Sequence, residues 1–400
     1  MSKLAAPLAV FGAVLVAMVA LNHGATAPPA PAAAHAGRDY AALGNRYLAR
    51  ARQSGDPAFY SRAEKAFDLA LRSDPASVDG LVGAGTLAGT RHDFVRQLRL
   101  GSEARRVAPD LARPLTVIAD AQIELGRYPE AARTIQRLVN LKPGLPAYAR
   151  VSYYRELHGD LAGAVSAMRY AVSAGSSEEG TAYVETLLGD LQLARGRMAA
   201  ARTAYSSALR DRPSYPQALT GLARIDAARG SLHRAAARLR RSTDRLPLTS
   251  ALALLAEVEA GLGNQRAAAA DLAAARVQHR LLRRSRTLPD AEAVLFEANH
   301  GSATRAVALG RRVWRLAPSI RSADALGWAL TRAGRPRAGL VWARRALRTG
   351  SVDPSFRLHA GVCALRSGRP REAKRYLTAA VRGAAALSPS ARRLLEEARS

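Results

Sequence analysis

Apolar residues recur along most of this chain at the three- and four-residue spacing of an amphipathic helix. In AEKAFDLALRSDP, residues 63–75, the side chains of Ala63, Phe67 and Ala70 fall on one helical face. The segment ends at Pro75, and a proline cannot continue a helix because it lacks the amide donor and its ring clashes with the preceding turn. The pattern therefore predicts one short helix that stops at Pro75.

Prolines and glycines repeat this pattern at a nearly constant interval. Pro75, Pro109 and Pro143 are 34 residues apart, and so are Pro213 and Pro247. A second series consists of glycines that each precede a small residue by five positions: Gly126, Gly159, Gly196, Gly230, Gly263, Gly301, Gly334 and Gly368. A fixed period in the range of about 20–50 residues indicates a solenoid. Each glycine is expected to provide the positive-φ turn between the two helices of one hairpin.

Three segments contain the turn and second helix of such a unit: GRYPEAARTIQRLVNLKP (126–143), GRMAAARTAYSSALRDRP (196–213) and GRPREAKRYLTAAV (368–381). Through these segments the chain resembles the tetratricopeptide repeat (TPR) family over residues 39–383. The resemblance implies an all-α, right-handed α-solenoid of about ten helix-turn-helix units. It also implies that first helices line a concave groove and second helices lie on the convex side. One repeat architecture serves many functions, so the resemblance is informative for fold rather than activity.

The N-terminus precedes the repeats and contains an uncharged apolar run at residues 4–21. Its length is near the ~20 residues that a membrane-spanning helix needs. A cleaved signal peptide is the alternative, but Pro28 directly follows the small-residue pattern at 25–27, and the pattern at 34–36 lies far beyond the apolar run. We favour a signal-anchor over residues 1–21.

An Ala/Pro-rich linker is predicted to follow the anchor, over residues 22–38. Lys3 precedes the apolar run, whereas no Lys or Arg follows it until Arg38. The positive-inside rule then places the repeats outside the cytoplasm, as a single-pass membrane protein, with secretion as the alternative. At the other end of the chain, Ser388 and Pro389 suit the N-cap and first position of a capping helix within 384–400.

The net charge is +28 and is distributed unevenly. Residues 1–200 carry 23 basic and 18 acidic side chains, and residues 201–400 carry 37 and 14. The surplus in the second half indicates an anionic partner or a solvated face. Anionic lipid and an anionic wall polymer are the candidate partners. Nucleic acid is disfavoured because aromatic residues make up only 5% of the chain, which leaves few stacking platforms.

Candidate binding residues fall into two sets. The predicted concave groove is mixed in charge and leans acidic, with Asp120, Glu124, Tyr153, Glu156, Asp190, Arg224 and Glu257. The predicted basic patch lies in RVQHRLLRRSR, residues 276–286, within one of the longer steps of the repeat, where an added helix extension or loop is expected. Its arginines are Arg276, Arg280, Arg283, Arg284 and Arg286.

Catalytic signals are missing from the sequence. It contains no GxSxG, HExxH or paired CxxC motif, and its single cysteine, Cys363, is expected to be a buried small hydrophobe. We expect no cofactor, no metal site and no enzyme activity. Trp314, Trp328 and Trp342 cluster in two adjacent units, where core packing is favoured over an aromatic binding spot. The predicted function is a membrane-anchored scaffold for protein–protein interaction at the cell envelope. The first alternative is a secreted or anchored module whose Arg-rich C-terminal half binds an anionic polymer or lipid, and the second, less favoured, is an enzyme without a recognised motif.

Overall fold

The computed structural model describes residues 32–175 and 177–400, which form 21 α-helices and no strand. The all-α fold expected from the repeat is therefore confirmed for this part of the chain. In chain order the helices are α1 (Ala32–Ser54), α2 (Ala58–Ser73), α3 (Val78–Thr90), α4 (Phe94–Val107), α5 (Ala112–Glu124), α6 (Tyr128–Leu141), α7 (Leu145–Leu157), α8 (Leu161–Ser173), α9 (Glu178–Ala194), α10 (Met198–Asp211), α11 (Pro216–Ala228), α12 (Leu232–Arg245), α13 (Thr249–Gly261), α14 (Gln265–Arg284), α15 (Ala291–His300), α16 (Ala303–Leu316), α17 (Ile320–Arg332), α18 (Pro336–Ala346), α19 (Pro354–Arg366), α20 (Pro370–Val381) and α21 (Pro389–Glu397).

Successive helices pair into hairpins, in which the odd-numbered member from α3 onward is the first helix and the even-numbered member the second. Seven of the eight predicted turn glycines have positive φ, between 69° and 83°. Gly301 is the exception, with φ of −132°. There the Glu297 carboxylate accepts the backbone N–H of Ser302 at 2.8 Å, so the turn is closed by a side chain rather than by a left-handed residue.

The two kinds of helix are buried differently. In the first helix α13 every residue from Thr249 to Glu259 is buried. In the second helix α12 only Ala235, Ala236, Leu239 and Ser242 are buried, which form a single stripe. First helices are therefore covered by protein on most sides, and second helices present a polar face to solvent.

The described residues divide into two compact units. The N-terminal unit comprises residues 32–150 and 280–288, and the C-terminal unit comprises 151–175, 177–279 and 289–400. Phe67, Leu87 and Leu100 belong to the core of the N-terminal unit. In the same unit the backbone N–H of Leu288 donates to the carbonyl of Arg91 at 2.8 Å, which ties the returning segment 280–288 to the turn between α3 and α4.

The C-terminal unit also contains contacts between residues far apart in sequence. Its largest core contains residues from α13 to α21, among them Trp328, Leu358 and Leu394. The hydroxyl of Thr349 donates to the carbonyl of Leu157 at 2.6 Å across 192 residues of sequence. These contacts join repeats that are not neighbours in the array.

Both ends of the described chain bear on the sequence predictions. The capping helix is confirmed as α21, whose N-cap Ser388 accepts the N–H of Ala391. Helix α1 begins at Ala32, so the last residues of the segment predicted as a linker are helical. Within the described ranges no helix is long and apolar enough to cross a bilayer. The predicted signal-anchor, residues 1–21, and the first part of the linker lie outside those ranges.

Candidate functional site

Asp120 on α5 is paired within the N-terminal unit. The Nη2 of Arg150 donates to Asp120 Oδ2 at 2.6 Å, and its Nη1 donates to the carbonyl of Pro146 at 2.8 Å. Both side chains are buried, and burial raises the pKa of Asp120 against the opposing effect of the guanidinium. Glu124, one turn later, is only half-buried. The pair holds α5 and α7 together, because either partner alone would be a buried uncompensated charge.

Asp190 and Arg224, both predicted for the groove, meet in the C-terminal unit. Arg224 Nη1 lies 3.3 Å from Asp190 Oδ1, and the hydroxyl of Tyr205 donates to the same oxygen at 2.6 Å. Burial raises the pKa of Asp190 to about 6 despite these two partners. Gly189 and Gly221 flank the Tyr205 ring so closely that a Cβ on either would overlap it. These glycines thereby let the tyrosine reach Asp190.

Glu257 on α13 is occupied by the protein's own C-terminal segment, which we define as residues 383–397. Its Oε2 accepts the backbone N–H of Ser390 at 3.1 Å, at the start of α21. A carboxylate at a helix N-terminus satisfies amides that have no partner inside the helix. Arg392 on the same helix donates to the carbonyl of Ala227 at 2.8 Å, at the end of α11. The first-helix face from α9 to α13 is therefore covered by this segment in the structure.

Tyr153 and Glu156 on α7 differ in accessibility. Tyr153 is buried, whereas Glu156 keeps part of its side chain accessible. Burial among protein groups, together with the nearby carboxyl of Asp353, raises the pKa of Glu156 to about 8. Glu156 is therefore a half-buried residue whose carboxyl group binds its proton more tightly than a glutamate in water does.

Glu156 belongs to a cluster that we define as the carboxylate recess: Glu156, Glu292, Asp353 and Arg321. The guanidinium of Arg321 lowers the pKa of all three carboxyl groups, but burial outweighs it and raises each one. A hydroxyl–carboxylate hydrogen bond from Ser250 also acts on Glu292. Asp353 additionally caps α19 by accepting the N–H of Ser355 at 2.7 Å. Arg321 is thus the cation whose charge acts on all three carboxyl groups, and each of them nevertheless has a raised pKa.

Three members of the recess were not predicted from the sequence. Asp353 directly precedes Pro354, and Glu292 follows the irregular step after α14. Arg321 lies in the first turn of α17 and has no distinguishing spacing. The signal for these residues is their position at the start of the first helices of three consecutive hairpins, whereas Glu156 on α7 comes from a repeat distant in sequence.

The predicted basic patch lies at the end of α14 and in the turn that follows it. The expected helix extension is observed, because α14 continues to Arg284. In the C-terminal unit, Arg276 donates to the carbonyl of His300 at 2.9 Å. In the N-terminal unit, Arg286 has a positive φ of 63° and lies 3.7 Å from Glu64. The remaining members, Arg280, Arg283 and Arg284, are exposed.

The arginines of second helices fall into two groups in the C-terminal unit. Those near α12 are compensated, because Arg202, Arg234 and Arg238 all lie within 3.5 Å of the buried carboxylate of Asp226. Helices α16 and α18 contain seven arginines and no acidic residue. Among the described residues only Arg305 and Arg344 of these seven have an ion-pair partner, Glu297 and Glu372 respectively.

The three tryptophans have different surroundings. Trp328 is fully buried, stacks on His359 at 4.4 Å and donates to Asn299 Oδ1 at 2.8 Å, so its core role is confirmed. Trp314 on α16 and Trp342 on α18 are only half-buried and meet edge-to-face at 4.8 Å. The exposed guanidinium of Arg345 lies over both rings, 5.2 and 4.9 Å from their centroids.

Cys363 is buried, and burial raises the pKa of its thiol to about 12. The thiol lies 2.8 Å from the Thr331 hydroxyl. A thiol in this state is inert toward electrophiles. In the part of the chain that the structure describes, no cluster of three or more His, Cys, Asp or Glu side chains could hold a metal ion.

Comparison with known proteins gives likenesses of fold. No protein-family model and no curated protein matches the sequence. Among solved structures, a thermophilic TPR protein of Thermus thermophilus, TTC0263, is 18% identical, with 46% of this chain and 94% of that chain covered and a TM-score of 0.41.

Two further solved structures match this chain at similarly low sequence identity. A human IFIT1 dimer with PPP-AAAA is 16% identical over 74% of this chain and 69% of that chain, with a TM-score of 0.48. YrrB, a TPR protein described as having an unusual peptide-binding site, is 14% identical over 46% of this chain and 93% of that chain, with a TM-score of 0.31.

Proposed function

Because the described helices form a tandem array of tetratricopeptide-like hairpins, we propose that this protein is a non-enzymatic scaffold that binds a segment of a partner protein. The observation that carries the proposal is the carboxylate recess. The three residues that carry its carboxyl groups are half-buried, and the carboxyl groups outnumber the Arg321 guanidinium, so a cation entering the recess would be stabilised. The partner segment is therefore expected to present a lysine or arginine side chain.

The C-terminal segment limits the part of the first-helix face that is open to this partner. It covers the first-helix face from α9 to α13 and already satisfies Glu257, so that part of the face has an occupant. Glu156 remains as the predicted groove residue with both an accessible side chain and a strongly raised pKa. We therefore place the partner's cation beside Glu156 rather than along the whole groove.

A labelled arginine-rich peptide tests this proposal with the full chain. Fluorescence anisotropy is measured for the wild type, for Glu156→Gln and for Glu178→Gln, which removes the same charge from an exposed position on α9. Loss of one charge-assisted contact is expected to weaken binding about tenfold in Glu156→Gln only. Binding by the wild type should also strengthen as the pH rises through about 8, where Glu156 ionises. Equal affinity in the two variants, or equal binding of an uncharged peptide, contradicts the proposal.

We also propose that residues 4–21 hold this scaffold in the cell membrane with the repeats outside the cytoplasm. The proposal is supported by the apolar run and by the placement of Lys3 before it. Protease treatment of intact cells carrying a C-terminally tagged chain tests it. A full-length, membrane-bound and protease-sensitive product is expected. A shortened soluble product indicates signal cleavage, and a full-length protected product indicates that the repeats face the cytoplasm.

A further inference from the structure

The polar face of α16 and α18 combines two properties that the proposed scaffold does not use. It is cationic without compensation, because Arg311, Arg312 and Arg315 are exposed and have no ion pair within the described ranges. Apolar surface adjoins these arginines, because Trp314 and Trp342 are half-buried on the same two helices. We define Arg311, Arg312, Arg315, Trp314, Val341, Trp342 and Arg345 as the Trp–Arg patch.

The sequence of α18 explains how the apolar part is presented. Arg345 lies three residues after Trp342 and four after Val341. These spacings place the three side chains on adjoining parts of one helical face. The side chain of Val341 is 60% exposed. Trp342 anchors this face on the core through its inner edge. Helix α18 therefore presents the exposed Val341 beside the half-buried Trp342, and its Arg345 lies over the indoles of Trp342 and of Trp314 on α16.

We propose that the Trp–Arg patch binds the surface of an anionic lipid bilayer. Unpaired arginines are attracted by anionic headgroups, by about 1 kcal/mol for each basic side chain near the surface. Indole rings with one apolar and one polar side favour the boundary between headgroups and acyl chains. Val341 would bury its exposed surface in the same boundary. A soluble polyanion would satisfy the arginines and leave the apolar side chains in water.

The geometry of the indoles disfavours single-stranded nucleic acid as the ligand. Bases bind such surfaces by stacking on open aromatic faces. Here the guanidinium of Arg345 already lies over both rings, and the edge-to-face arrangement directs one indole toward the other. A base would have to displace the guanidinium before it could stack.

Vesicle binding by the full chain tests the proposal. Sedimentation is compared between vesicles of phosphatidylcholine alone and vesicles that also contain phosphatidylglycerol. Residues 4–21 are expected to enter both kinds of bilayer, so the quantity of interest is the additional binding to anionic vesicles. Contact by the patch should also shift tryptophan emission to shorter wavelength and expose it to quenching by brominated lipid, whereas Trp328 is shielded by the core.

Two charge-matched variants isolate the arginines. Arg311→Gln, Arg312→Gln and Arg315→Gln together remove three charges from the patch, and the same substitutions at Arg106, Arg133 and Arg137 remove three exposed charges from α4 and α6. The additional affinity for anionic vesicles should fall about fivefold for each arginine neutralised in the patch. The control variant should keep most of it. Equal losses in both variants, or unchanged tryptophan emission in the wild type, overturn the proposal.

Val341→Ser distinguishes lipid from a soluble polyanion without changing the charge. Weaker vesicle binding and a smaller emission shift in this variant support the bilayer. If polyphosphate or a single-stranded oligonucleotide produces the same emission shift as anionic vesicles, and Val341→Ser has no effect, the ligand is a soluble polyanion and the proposal is wrong. The outcome does not depend on Glu156, so it is independent of the peptide-binding experiment.

Discussion

Two sites in the C-terminal unit have opposite charge ratios. Around Asp226 one buried carboxylate is shared by Arg202, Arg234 and Arg238. In the carboxylate recess one guanidinium, that of Arg321, lowers the pKa of three carboxyl groups without outweighing their burial. The two sites differ in where the excess charge lies. The extra arginines at Asp226 are long enough to place their charge in solvent, whereas the extra carboxyl groups of the recess are on shorter side chains and lie within protein.

The difference indicates which site is suited to binding and which to stability. A surplus arginine keeps its charge in water, so the Asp226 site is satisfied as it stands. A surplus carboxyl group in a recess must either bind a proton or find a cation, and the raised pKa values describe the first of these outcomes. The recess is therefore the site whose electrostatics an incoming cation would improve.

The largest expected effect comes from removing the shared carboxylate. Asp226→Asn is expected to lower the free energy of unfolding by about 3 kcal/mol, because its three partners lose their common acceptor and a buried group loses its ion pairs. Urea denaturation followed by circular dichroism measures this. Asp244→Asn, at an exposed position on α12, should change the value by less than about 0.5 kcal/mol. Similar losses in both variants would mean that the buried ion pairs at Asp226 do not determine stability.

Removing Arg321, the cation of the recess, should lower the free energy of unfolding by a smaller amount that depends on pH. Arg321→Gln is expected to cost about 2 kcal/mol of stability near pH 8, where the carboxyl groups ionise and need a partner. Near pH 5 the cost should be much less, because Glu156 is then protonated. Denaturation at both pH values checks this, with Arg337→Gln on the exposed side of α18 as the control. A loss that is the same at both pH values contradicts the electrostatic account.

The sequence analysis names Glu156 of the recess and no residue of the Asp226 site, although the ion pairs at Asp226 join neighbours in the repeat. The repeat spacing places Asp226 and Glu259 four residues before their turn glycines, within reach of the second-helix arginines of the same or adjacent hairpin. Local periodicity is enough for such neighbours. The recess depends on contacts between repeats far apart in sequence, which a one-dimensional pattern does not encode. The coverage of Glu257 by α21 was missed for the same reason, although α21 itself was predicted.

The free energy of unfolding of the wild type should fall as the pH rises from about 5 to 8. Burial raises the pKa of Glu156 to about 8, whereas a glutamate in an unfolded chain titrates near about 4.3. Between these values the folded state keeps a proton that the unfolded state has released, so raising the pH favours unfolding. We expect the free energy of unfolding to fall by about 1 kcal/mol between about pH 5 and pH 8, after allowance for solvent screening. Glu156→Gln should flatten this slope, and an unchanged slope would show that Glu156 does not titrate in this range.

The smallest expected effect on stability belongs to the arginines that have no acidic partner. The combined substitution of Arg311, Arg312 and Arg315 by Gln should change the free energy of unfolding by no more than about 0.5 kcal/mol, because these side chains are exposed and hold no buried carboxylate. Relief of mutual repulsion even favours a slight gain. Urea denaturation alongside Asp226→Asn makes the contrast direct. Removing arginines that stabilise the fold should lower the free energy of unfolding by more than about 1 kcal/mol. A decrease of that size here would mean that the Trp–Arg patch is part of the structural framework. Unchanged stability leaves these arginines without a structural role, and binding to an anionic surface is then the property that their removal should affect.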